Sequence, residues 1–257
     1  MTTNYKKLFI AVIIFVIFCG STILYSAGSE SVSAVAPSDS VYQQRVVHSP
    51  DGIGKFYMSR EIAQVMGHQG AGWLERSSRE AEEQPSRVVK ALDLKPTDVM
   101  ADIGAGTGYL SFLISPLVPE GKVLAVDIQP EMLDIIDSLK KERNITNVEL
   151  VQAGVSDPNL PTSSVDLALM VDAYHEFTYS REMMEGIVSA LKPGGRVVLV
   201  EYRGENPFVF IQPLHKMTQK QVRKEMSAVG LVWLETKDFL PQQHFMVFEK
   251  PKASWLR

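Results

Sequence analysis

From residue 85 onward, short apolar runs alternate with longer stretches in which apolar residues recur every three or four positions. The short runs are Val99–Ile103 (VMADI), Lys122–Asp127 (KVLAVD), 148–151, Val165–Val171 and 196–201. They read as strands buried on both faces. Between them, the periodicity predicts helices over 109–117, 130–141, 180–191 and 218–229, with Leu133, Ile136 and Leu139 sharing one face of the second. Pro85 and Pro130 stand at first helical positions, Pro193-Gly194-Gly195 closes the third of these helices, and Thr218 and Gly230 bracket the fourth. Segments 231–238 and 244–249 predict two closing strands, paired antiparallel. This alternation implies an α/β fold: a mostly parallel sheet with helices on both faces, whose ligands bind beyond the carboxyl ends of the strands.

The first third of the chain has another character. Residues 8–27 carry no charge over 20 positions, enough for a helix of about 30 Å, the hydrocarbon thickness of a bilayer. Residues 1–28 therefore read as a hydrophobic helix outside the fold, either a single-pass membrane anchor or a cleaved signal peptide. Lys6 and Lys7 precede the run and no basic residue follows before Arg45. The positive-inside rule then places the main domain on the non-cytoplasmic side, whether membrane-tethered or exported. Residues 29–44 are small and polar, a flexible linker. Residues 45–84 suggest a helical cap, with Ser59 opening a helix through Met66 that Gly67 ends, and a second helix over 73–83 with a charged face. Tyr57, Trp73 and Arg79 in this stretch are candidates for a lid over the site.

Composition removes several function classes. Apolar residues make up 45% of the chain and charged residues 22%, which is ordinary globular usage. Net charge is −4, so no global basic footprint points to nucleic acid. Cys19 is the single cysteine, and the five histidines (48, 68, 175, 215, 244) never fall at a ligand spacing such as HxxxH. No metal site is expected on that basis.

The chemistry concentrates where the first strand of the α/β part ends, in Asp102-Ile103-Gly104-Ala105-Gly106-Thr107-Gly108. Alternate glycines let the backbone turn sharply and approach a ligand without Cβ clashes. The next strand ends in Asp127, 23 residues beyond Gly104, where a carboxylate can accept hydrogen bonds from both ribose hydroxyls of a nucleotide. Dinucleotide sites carry GxGxxG. Here the pattern is GxGxG, with Tyr109 following. The DxGxGxG turn, the acid at the end of the second strand, the Lys192-Pro193-Gly194-Gly195-Arg196 turn and the closing strand pair together resemble the class I S-adenosylmethionine-dependent methyltransferases, over about 85–250, the expected methyltransferase domain. That resemblance implies a Rossmann-like, seven-stranded sheet with a reversed last strand and S-adenosyl-L-methionine as cofactor. It implies cofactor contacts from Asp102 (to the methionine amino group), Gly104, Gly106, Gly108, Tyr109, Asp127, Ile128 and Gly154. Met132 would flank adenine with Ile128. The family often has an acid directly after the Gly154 position. Val155 stands there, with Asp157 displaced.

The fourth strand runs into Val171-Asp172-Ala173-Tyr174-His175-Glu176, a loop that faces cofactor and substrate in the family. Methyl transfer needs mainly alignment of nucleophile, methyl and sulfur, and a base only where the nucleophile must lose a proton. His175 and Glu176 are the candidates for that base, and Asp172 for a cofactor or substrate contact. The expected enzyme methylates a small-molecule or lipid-like acceptor. The alternatives are a non-catalytic binding module on the same fold, which export away from the cytoplasmic cofactor supply would favour, and a nucleotide-dependent oxidoreductase, against which the GxGxG spacing argues. Neither acceptor nor oligomeric state is written in the sequence.

Overall fold

A computed structural model describes residues 41–252 of the chain. The expected anchor or signal and most of the linker lie outside them. Among the described residues, no helix is long and apolar enough to cross a membrane. The described residues open with a three-stranded antiparallel sheet: β1 (Tyr42–Gln44), β2 (Gly52–Tyr57) and β3 (Arg60–Ala63). Short helices α1 (Ala71–Leu74) and α2 (Arg79–Glu82) follow, then α3 (Pro85–Ala91). The α/β part runs β4 (Val99–Ile103), α4 (Tyr109–Ile114), β5 (Lys122–Asp127), α5 (Pro130–Glu142), β6 (Val148–Gln152), β7 (Val165–Val171), α6 (Ser180–Ala190), β8 (Leu191–Arg203), β9 (Lys216–Met217), α7 (Gln219–Ala228), β10 (Val232–Lys237) and β11 (Gln243–Glu249).

The main sheet has the order β10-β11-β8-β7-β4-β5-β6, with the two-residue β9 paired to β8. Pairing is parallel from β8 to β6, and β11 runs antiparallel to both its neighbours, so the last strand is the reversed one. Alternate side chains feed two cores. Met100, Val123, Leu167, Leu169 and Val198 pack on one face, with Leu110 of α4 and Ile136 of α5. Ala101, Leu124, Ala168 and Val197 pack on the other, with Ile187 of α6 and Met226 of α7. Strand order reverses between β4 and β7, and the crevice beyond their carboxyl ends is where such a sheet binds ligands.

The expected boundaries hold to within a few residues in most of this part. Thr218 caps α7, its hydroxyl accepting a hydrogen bond from the Gln221 amide at 3.1 Å. Thr218→Ala is expected to lower stability by about 1 kcal/mol, measurable as a shifted urea midpoint. One strand is longer than its pattern. Leu191 already pairs with Val165 and Arg196 with Leu167, so the Pro193-Gly194-Gly195 turn lies as a bulge inside β8 rather than ahead of it.

The helical cap expected over 45–84 is corrected. Residues 59–66 are not a helix: Met58 and Ser59 have φ of 48° and 78° and turn β2 into β3. Two successive left-handed residues make the tight turn whose twist suits a hairpin. Tertiary contacts override the local signal, because Ile62 and Ala63 of β3 are fully buried and Arg60 forms a buried ion pair with Glu225 of α7. The helix expected over 73–83 is broken in two. The Arg76 guanidinium donates to the Trp73 carbonyl and that of Arg79 to the Leu74 carbonyl, taking acceptors that a continuous helix would use.

Candidate functional site

The turn after β4 is bound to the next strand. The Gly104 and Ala105 amides both donate to the Val126 carbonyl, at 2.8 and 3.0 Å. Gly104 and Gly106 take φ of +75° and +56°. A Cβ on Gly104 would lie 2.7 Å from the Ala173 Cβ, and one on Gly106 would lie 2.6 Å from a Leu74 methyl. Conformation favours glycine at both positions, and at Gly104 the Ala173 Cβ, which has no freedom to move aside, demands it as well. Asp127, at the end of β5, accepts from the Gly106 amide at 2.8 Å through one carboxylate oxygen and from the Gln129 amide at 2.9 Å through the other. Each oxygen keeps a second lone pair. Burial raises the Asp127 pKa, while these amides favour the anion.

A cavity of about 420 Å³ opens beyond the strand ends, within the range of small-molecule sites. It brings together Gly104, Gly106, Asp127, Ile128 and Gly154 with Asp172, His175 and Glu176, and Met132 also lines it. Three of the expected cofactor residues do not line it. Asp102 lies behind the turn, 3% exposed, and accepts from the Ser111 hydroxyl at 2.6 Å. Gly108 faces Ile136 and Phe112. Tyr109 lies under the Arg79 guanidinium, 4.8 Å from its ring centre. Of the lid candidates, Trp73 and Arg79 line the cavity, whereas Tyr57 is buried against Tyr42 with ring centres 5.4 Å apart.

His175 is 1% exposed and sits in a chain of polar groups. Its Nδ1 is 2.6 Å from Glu201 Oε2, and its Nε2 is 3.0 Å from Nδ1 of His215. His215 Nε2 in turn lies 3.3 Å from Asp51 Oδ1. One Glu176 oxygen stands 3.8 Å from His175 Nε2 and 3.6 Å from His215 Nδ1, and accepts from the Met66 amide at 3.2 Å. Carboxylates only accept, so each outer ring nitrogen carries a hydrogen, and the two inner nitrogens share one between them. Burial disfavours the charged form of His175, but the Glu201 carboxylate outweighs it and the pKa is raised. For His215 burial and the neighbouring His175 lower the pKa. Burial pushes the Glu176 carboxyl up to about 7, against the opposing pull of His175. Asp172 is raised well above the carboxylate range by burial and then by Glu201 and Glu83. Its Oδ2 accepts from Gln243 at 2.6 Å, and its Oδ1 has no partner among the described residues.

Sequence reasoning missed His215 and Asp51. They lie 40 residues after and 124 residues before His175, and only the packing of the β2–β3 hairpin and the segment before β9 against the β7 loop brings them together. It also missed the apolar mouth, where Phe210 is 91% exposed beside Ile211.

Comparison with known proteins bears on this geometry. Residues 100–195 match the family model described as "Methyltransferase domain". An uncharacterized methyltransferase of Bacillus subtilis, YcgJ, is 28% identical over 143 residues, 54% of this chain and 56% of the relative. The ubiquinone/menaquinone biosynthesis C-methyltransferase UbiE of Pseudomonas putida is 31% identical over 121 residues, 46% of this chain and 44% of the relative. The chain thus spans about half the length of the curated relatives it matches. Among solved structures, a SAM-dependent methyltransferase from Aquifex aeolicus superposes with a TM-score of 0.68 over 72% of this chain and all of its own, at 21% identity. The [4+2]-cyclase SpnF superposes at 0.58 over 66% of this chain and 80% of its own, at 14% identity. At such identities these two likenesses concern the fold alone, and the fold hosts more than one activity.

Proposed function

We propose that the chain, whose residues 100–195 match a methyltransferase-domain model, is a class I S-adenosylmethionine-dependent methyltransferase that methylates a small-molecule or lipid-like acceptor in the cavity beyond β4 and β7. The carrying observation is the convergence on one cavity of the glycine turn and Asp127 with the His175–Glu176 loop. The residues present fit the cofactor: the close backbone approach at Gly104 and Gly106 leaves room that a Cβ would take, and Asp127 retains acceptor capacity for ribose hydroxyls. When bound, the cofactor supplies an already activated methyl group.

Each remaining task falls to a residue of this chain. Ile128 and Met132 offer apolar flanks for the adenine, and Gly154 lines the cavity with them. Asp102 acts from behind the turn toward the amino group, through water. Trp73, Phe177 and the exposed Phe210 surround the cavity with apolar surface that suits an acceptor with a hydrophobic body. His175, held by Glu201, and Glu176 are the groups able to take a proton from an acceptor that carries one. Residues 8–27 serve as the tether that brings the domain to a membrane surface. A reporter fused to the C-terminus reads which side that is.

Calorimetric titration of the full chain with S-adenosylmethionine is expected to show binding that Asp127→Ala weakens at least tenfold, about 1.4 kcal/mol. An unchanged affinity removes Asp127 from the site, and no binding by the parent chain removes the reading. Mass spectrometry of membrane and small-molecule extracts after incubation with labelled cofactor then identifies the acceptor.

A further inference from the structure

We propose that His175, His215 and Glu176 form a binding site for one divalent transition-metal ion, of the zinc and iron(II) class, facing the cavity. No local spacing in the sequence announces it. The ligand atoms are His175 Nε2, His215 Nδ1 and a Glu176 carboxylate oxygen, all within 4.8 Å of one another. Metal–nitrogen bonds of about 2.0–2.1 Å at tetrahedral to octahedral angles put neighbouring ligand atoms about 2.9–3.4 Å apart. The two imidazole nitrogens, at 3.0 Å, already meet that requirement. The Glu176 oxygen, at 3.6 and 3.8 Å, needs to move a few tenths of an ångström.

The surroundings of the two histidines carry the inference further than their spacing does. A histidine that binds metal through one ring nitrogen almost always donates its other N–H to a carboxylate, carbonyl or water, which fixes tautomer and ring orientation. Here both outer nitrogens do so: His175 Nδ1 to Glu201 at 2.6 Å and His215 Nε2 to Asp51 at 3.3 Å. With those two hydrogens outward, each ring can turn a lone pair inward. The hydrogen shared between the inner nitrogens then occupies the place of the ion. A histidine pair serving only as a packed hydrogen-bond relay has no need of a third ligating oxygen at comparable distance from both inner nitrogens.

Two imidazoles and one carboxylate with open positions are the donor set of catalytic zinc and of non-haem iron(II) sites. All three ligands line the cavity, so an open position faces it. An ion there would bind an oxygen of the acceptor and ease the loss of its proton to water, as bound zinc lowers the pKa of water to about 7. The acceptor class is therefore one with a hydroxyl or enol oxygen next to an apolar body. This last step rests on the methyl-transfer reading, whereas the ion site itself does not.

The test uses the full chain, stripped of metal with chelator and titrated with Zn²⁺ by calorimetry and with Co²⁺ by visible absorption. One ion per chain is expected, with a Co²⁺ spectrum showing nitrogen ligation. His215 is half-buried, so His215→Ala, its folding checked by circular dichroism, should weaken Zn²⁺ at least 100-fold and abolish the Co²⁺ bands. Asp51→Asn should weaken it about 10- to 100-fold as a positioning residue. Absence of ion binding, or binding that His215→Ala leaves unchanged, overturns the proposal. S-adenosylmethionine affinity measured on the same samples separates the two readings: cofactor bound without metal sinks the ion site alone, and metal bound without cofactor sinks the methyltransferase reading alone.

Discussion

Replacing Arg60 by methionine is expected to destabilise the chain by about 3–5 kcal/mol, because it strands a charge in the core. Its partner Glu225 is fully buried. Arg60 meets both Glu225 oxygens at 2.9 Å and donates as well to the His175 carbonyl at 3.0 Å. Tyr174 and Gln221 also donate to Glu225, at 2.5 and 2.7 Å. These two neutral donors remain in the variant and hold the loss toward the lower end of the range. Converting the partner too, in Arg60→Met with Glu225→Gln, should recover most of the stability, since the cost arises from the unpaired carboxylate rather than from the missing attraction. Guanidinium unfolding of the parent, the two single variants and the double variant closes the cycle. Additive single losses would show that the pair is not one unit. Arg60 also ties the β2–β3 hairpin to the loop that carries His175, so the same substitution should loosen the cavity wall.

This ion pair illustrates what the sequence could not disclose. Apolar runs and helical periodicity placed β4, β5 and β7 to the residue, because strands buried on both faces leave a continuous signature. Gly104, Gly106 and Asp127 were legible for a similar reason: a turn that needs glycine and an acid at a strand end are local facts. The hairpin over 52–63 was not, since residues 59–66 look helical by themselves and only burial of Ile62 and pairing of Arg60 with Glu225 decide otherwise. Asp102, Gly108 and Tyr109 belong to the right motif, yet they support the turn from behind instead of lining the cavity. The Asp51–His215–His175–Glu201 chain reaches across 164 positions of sequence, and no pattern over a window of helix or strand length contains it.

Asp102 supplies the other large expected effect, with the sign opposite to that of most carboxylates. Burial pushes its carboxyl up to about 6, although the Ser111 hydroxyl bond and the Arg79 charge pull the other way and Asp127 adds to the rise. An unfolded aspartate titrates near about 3.9. Between those values the folded chain binds a proton that the unfolded chain has lost, so stability falls as pH rises from about 4 to about 6. The difference of roughly two units corresponds to about 3 kcal/mol, absent below that window and fully present above it. Asp102→Asn keeps an acceptor for Ser111 and removes the charge. The variant is therefore expected to match the parent near pH 4 and to exceed it by up to about 3 kcal/mol at pH 7. A difference independent of pH would show that the Asp102 charge is not the cause. The same charge is what a cationic amino group of the cofactor would neutralise, so the stabilised variant should bind S-adenosylmethionine more weakly, measured by calorimetry at pH 7. Stability gained together with affinity lost would mark Asp102 as a group held at a folding cost for the sake of its ligand. Stability gained with affinity intact would confine it to a structural role behind the turn.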